Sequence, residues 1–207
     1  MKRIWYKIFL LILLITFFCL QIHVYSAEED NTNSYFLKEA RQLEKLSILK
    51  GDRQGNLMLH ETLTRQDLVI IIIRLHGEEV SKEVETENSE ALPFKDVKPS
   101  AYYYPYILRS VELGFVQGIR NDTFGVNMEV TAKEVETILL RLLGYEEEAK
   151  NWDLIDTLSE TLGIRDEINL KNNRTITRGE LAKMITNALQ VQRKGSTLKL
   201  KDVLNIK

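Results

Sequence analysis

Three stretches of this 207-residue chain carry one pattern, and that repetition limits what the chain can fold into. Leu46-Ser47-Ile48-Leu49-Lys50-Gly51 aligns with Leu113-Gly114-Phe115-Val116-Gln117-Gly118. A threonine stands 13 positions after each final glycine, at Thr64 and Thr131, and 13 further positions bring Gly77 and Gly144. A shorter third stretch runs Leu162-Gly163-Ile164, then Thr177, then Leu189-Gln190, with its loop three residues tighter. Units of this size cannot bury their own apolar faces and must pack on one another.

Each threonine opens a helix. Thr64-Arg65-Gln66-Asp67, Thr131-Ala132-Lys133-Glu134 and Thr177-Arg178-Gly179-Glu180 place a hydroxyl at the N-cap and a carboxylate three residues on. There the pair can satisfy orphan amides and face the positive end of the helix dipole. Asp67 is the shorter, less favourable partner of the three acids. One apolar stripe then recurs: Leu68, Ile71, Ile72, Leu75; Val135, Ile138, Leu139, Leu142; Leu181, Met184, Ile185, Ala188. A preceding helix is readable in each unit, over 35–49, 102–116 and 152–162. Glu78–Leu92, with six glutamates and one lysine, reads as a solvated linker. The fold class is all-α, built of three helix-loop-helix units, with strands scarce.

Lys2, Arg3 and Lys7 precede an apolar run from Ile8 to Leu20, and Val24-Tyr25-Ser26 follows. This layout predicts a secretory signal over 1–26, a retained membrane anchor being the alternative. The formal charge is −2 for the whole chain; beyond residue 26 it is −5, from 25 basic and 30 acidic side chains. Such a balance offers no basic face for nucleic acid. Cys19, the one cysteine, lies inside the apolar run. Disulfides and thiolate metal cages are therefore excluded from the exported part, whose composition suits a Gram-positive exterior. His60 and His76 are too isolated for a metal site, and no cofactor is implied.

With these residues in view, the chain resembles a tandem of three S-layer homology domains. The second unit matches most fully, through Phe94-Lys95-Asp96-Val97, the cluster Tyr102-Tyr103-Tyr104-Pro105-Tyr106-Ile107, Asp122-Thr123-Phe124 and Val130-Thr131-Ala132-Lys133-Glu134. The first and third keep a T-R-x-acid motif more faithfully, as Thr64-Arg65-Gln66-Asp67 and Thr177-Arg178-Gly179-Glu180. The resemblance implies repeats over 34–78, 93–146 and 147–190, and around them stand the secretory signal over 1–26, the acidic linker over 79–92 and a basic tail over 191–207. It further implies a pseudo-threefold helical assembly. In similar proteins, grooves between units hold secondary cell-wall polysaccharide, often bearing a pyruvylated amino sugar.

Carried over residue by residue, the resemblance implies polysaccharide contacts at Arg65 and Arg178, with Asp96 at the F-x-D position. Gly51 and Gly118 match the loop glycine, and Tyr102 or Tyr103 stands near the family's usual tryptophan. Ala132 replaces the arginine in the second unit. The first unit lacks a clear F-x-D, and the third lacks both F-x-D and the loop glycine. Each residue also has a plainer reading. The arginines can pair with neighbouring acids, Asp96 can cap a helix near Ser100, and the tyrosines can bridge units. Gly51 and Gly118 can supply positive φ at a helix end. If the arginines are ligand contacts, removing both weakens sugar binding and leaves the helices intact.

The expected function is that of a secreted, non-catalytic protein anchored in the cell wall or on the cell surface through its polysaccharide. The alternative is a structural or protein-interaction module of the envelope or spore whose degenerate repeats bind no sugar. No nucleophile elbow, P-loop, dinucleotide fingerprint or zinc-protease helix points to an enzyme. The tail, with Arg193, Lys194, Lys199 and Lys201, reads as a linker stub, a strand or a contact for an anionic polymer.

Overall fold

The computed structural model describes residues 36–78, 92–170 and 173–206. The expected signal over 1–26 and all of the acidic linker but residue 92 lie outside the described residues. Residues 36–45 form α1, Arg65–Leu75 α2, Tyr104–Glu112 α3, Ala132–Leu142 α4, Ile155–Thr161 α5, Arg178–Ala188 α6 and Leu200–Val203 α7. The protein is all-α, and among the described residues only isolated bridges represent β pairing.

Helices α2, α4 and α6 each begin one residue after a capping threonine and run for 11 residues. The Thr131 and Thr177 amides donate to Glu134 and Glu180 at 2.9 Å, while the Thr64 amide reaches Asp67 at 3.4 Å. The shorter aspartate makes the weaker capping box. Thr177→Ala is expected to cost about 1 kcal/mol, read as a lower urea midpoint at unchanged slope. All twelve residues of the repeated stripe are buried.

The first helices of the units are shorter than the periodicity predicts. Ser47, Gly114 and Gly163 turn to φ 59°, 70° and 74° and stop α1, α3 and α5. The amides of Ile48, Phe115 and Ile164 fold back to the carbonyls of Leu43, Ser110 and Ser159, capping the helix ends. Positive φ is thus supplied here and not by Gly51 or Gly118, which lie outside the left-handed region.

At the centre, the residue before each capping threonine joins a closed ring. Leu63 N–H donates to Ile176 O at 3.2 Å, Ile176 N–H to Val130 O at 3.2 Å, and Val130 N–H to Leu63 O at 2.9 Å. A second ring lies one step out, with Arg65 N–H on Met128 O, Ala132 N–H on Arg174 O and Arg178 N–H on Glu61 O. Each ring links the three units in cyclic order, a threefold arrangement written in the backbone. The side chains of Leu63, Val130 and Ile176 are fully buried, so these amides have no water and must pair with one another.

The basic tail is folded. Gln192 bridges Lys199, α7 follows, and Leu200 is fully buried with its amide on Val191 O at 2.8 Å. Lys194 ties the tail to the second unit through its amide on Leu143 O at 2.8 Å, and its ammonium then reaches Glu148 at 2.5 Å.

Candidate functional site

Two clefts open where units meet, and they are the same cleft displaced by 67 residues. The first, of about 340 Å³, is lined by Lys50, Asp67, Ile70, Ile71 and Arg74, with Arg178 of the third unit and Tyr102 and Tyr106 at α3. The second, of about 760 Å³, has Gln117, Glu134, Thr137, Ile138 and Arg141 at the matching positions, with Arg65 of the first unit and Trp152 ahead of α5. Each therefore holds an arginine from one unit, an acid and a second arginine from the next, and an aromatic ring at the lip.

The motif arginines are cross-unit struts. Arg65 Nε donates to Phe124 O and Nη2 to Gln117 O, both at 3.0 Å, while Nη1 meets Glu134 at 2.7 Å. Its guanidinium also lies 4.9 Å from the Phe124 ring centroid. Arg178 repeats the contacts one unit round, with Nε on Leu57 O at 2.9 Å and Nη2 on Lys50 O at 2.8 Å. Burial pulls the Arg178 pKa down, against the opposing charges of Asp67 and Glu61. Burial alone pulls Arg141 down. Guanidinium charge that is partly stripped of water in an open cleft favours an anion there.

Asp96 holds a loop. Its two oxygens accept the amides of Phe124, Gly125 and Val126 at 2.8, 2.7 and 2.9 Å. Burial opposes its ionisation, but those three donors outweigh it and keep the pKa below the usual aspartate value. Gly118 is required by close approach: a Cβ there would stand 2.5 Å from Arg120 O and from the Phe94 ring. At Gly51 the corresponding obstacle is Asn56 O, at 2.7 Å. Tyr102, exposed at a cleft lip, packs edge-on against the half-buried Tyr103 with centroids 5.1 Å apart.

The structure thus brings Arg178 and Tyr102 to one cleft and Arg65 and Gly118 to the other, with Asp96 behind the second loop. Trp152, Arg74 and Arg141 escaped the motif-based reading, although the 67-residue offset between units singles out Arg74 and Arg141 together. Trp152 is half exposed, with the Lys133 ammonium 5.2 Å from its ring. Among the described residues no group of three His, Cys, Asp or Glu is placed to hold a metal ion.

Residues 93–132 match the S-layer homology domain family. The chain is 30% identical over 158 residues to the middle cell wall protein of Brevibacillus brevis, covering 74% of this chain and 14% of that protein. It is 28% identical over 150 residues to a cell surface protein of Thermoanaerobacter kivui, covering 72% and 19%. An endoglucanase of Bacillus sp. is 28% identical over 98 residues, 10% of its length. The chain therefore spans less than a fifth of these relatives.

Proposed function

We propose that this chain is a three-unit S-layer homology module, exported to the cell surface, that holds secondary cell-wall polysaccharide in its two equivalent clefts without catalysis. The observation that carries this reading is the pair of clefts. Each exists only where two units meet, and each combines partly desolvated guanidinium groups with an aromatic lip. That chemistry suits a sugar bearing a carboxylate, such as a pyruvyl ketal: the arginines offer planar donors and the ring offers a face. Arg65, Arg178, Tyr102, Tyr103, Gly51, Gly118 and Asp96 serve the site, Asp96 and the glycines by shaping the loops. Support comes from the matched domain and from relatives named as cell-wall and cell-surface proteins.

Purified sacculi, with and without their secondary polymer, test the reading. The chain should sediment with intact sacculi and stay in solution once the polymer is stripped; equal retention on both rules the reading out. Trp152→Ala and Tyr102→Ala should each weaken retention about threefold to tenfold, since each removes a ring contact of about 1 kcal/mol. Titration with the released polymer should give two sites per chain.

The alternative, a structural or protein-interaction module of the envelope or spore that binds no sugar, is favoured by one observation. Arg65, Arg178 and Asp96 are all occupied within the protein. Under that reading stripped and intact sacculi retain the chain alike.

A further inference from the structure

The junction between the second and third units lacks the strut of the other two, because Ala132 stands where Arg65 and Arg178 do. The carbonyls such a strut would reach are nevertheless satisfied. Phe124 O and Leu57 O, bonded by Nε of the motif arginines, correspond in the third unit to Leu170 O, seven residues before its threonine. Leu170 O accepts from Arg165 Nη2 at 2.7 Å. Gln117 O and Lys50 O correspond to Asp166 O, which accepts from Asn187 Nδ2 at 3.0 Å. Both donors belong to the third unit itself.

Arg165 occupies the position of Leu49 and Val116, and both of those are buried and apolar. Its carboxylate partner is equally out of pattern. Glu136 on α4, fully buried, stands where α2 and α6 have the buried Val69 and Ala182. Arg165 Nε lies 2.9 Å from Glu136 Oε1, across the junction. Asp156 on α5 also faces the pair, 3.8 Å from Arg165, and Lys133 on α4 meets Asp156 at 2.6 Å. Two junctions are apolar at these positions, and the third pairs a buried carboxylate with a part-buried guanidinium.

We propose that Arg165 replaces, from within the third unit, the missing strut of Ala132, and that its pairing with Glu136 keys the second and third units to each other. Three units of similar shape can dock in the wrong order, and a buried carboxylate that meets its counter-charge in one arrangement penalises the others. Arg165 is therefore a positioning residue, and the guanidinium of this junction comes from the loop of the third unit and not from the start of α4.

The test is a swap, read by thermal unfolding at pH 8. Arg165→Leu leaves Glu136 buried without its partner and should lower the Tm by on the order of 10 °C. Arg165→Leu with Glu136→Val imitates the other junctions, folds, and recovers most of that loss. Ala132→Arg should then raise the Tm of this double variant, whose Leu170 carbonyl is open, and lower or not change that of the wild type. An equal effect of Ala132→Arg in both backgrounds overturns the proposal, as does a double variant that is no more stable than Arg165→Leu or does not fold. If Arg165→Leu alone fails to fold, the Ala132→Arg comparison carries the test.

Discussion

Alanine at both Arg65 and Arg178 is expected to lower the unfolding free energy by about 2–6 kcal/mol, since each change takes the donor from two backbone carbonyls, one of them on a buried residue. Those carbonyls are Phe124 O and Gln117 O at one junction, Leu57 O and Lys50 O at the next. Arg65 also leaves Glu134 and the Phe124 ring. Against a total of about 5–15 kcal/mol for a domain, that loss is large. Urea unfolding followed by circular dichroism measures it. A midpoint displaced by no more than a surface ion pair's worth, under about 1 kcal/mol, would show the struts to be dispensable. The geometry thus argues against the expectation that both arginines can go while the helices stay intact. Lost wall binding in that double variant would report unfolding as readily as a lost contact. Trp152 and Tyr102, half or more exposed, are the cleaner probes of the clefts.

What the sequence made legible is what lies within one helical turn or one helical face. The capping threonines, the acids three residues on and the apolar stripes depend on local spacing, and they place the starts of α2, α4 and α6 to the residue. The ends of α1, α3 and α5 were overextended, because Leu113 and Val116 continue an apolar period that Gly114 breaks by its backbone alone. The site was legible only in part, for a different reason. Arg65 acts on the loop of the second unit and Arg178 on that of the first, over separations of 52 to 128 residues, and the acceptors are carbonyls, which no side-chain pattern announces. Asp96 is hidden likewise, because its partners are amides. Arg165 and Glu136 could have been found by laying the units over one another, as charges where the other two have apolar residues.

Glu136 makes stability fall as pH rises through the range where most proteins gain it. Burial pushes its carboxyl up to about 7, ahead of the opposing pull of Arg165, while Asp156 adds to the rise and Lys133 works against it. An unfolded chain releases this proton near the ordinary glutamate value of about 4.3. Between the two values the folded protein binds the proton that the unfolded chain has lost, so unfolding becomes easier with each step up in pH. The loss from this one group is nearly complete by about pH 8 and amounts to about 3–4 kcal/mol in all. Glu78, Asp96 and Glu180 are shifted the other way, to below their ordinary values. Their contributions are present above the ordinary carboxylate range and vanish in acid. A comparison with Glu136→Gln isolates the one residue, because the others cancel. The stability of the variant relative to the wild type should climb by about 3 kcal/mol from pH 4.5 to pH 7.5 and then level off. Urea unfolding across that range decides it. Parallel profiles for the two proteins would mean that Glu136 titrates normally and that its charge is well accommodated beside Arg165.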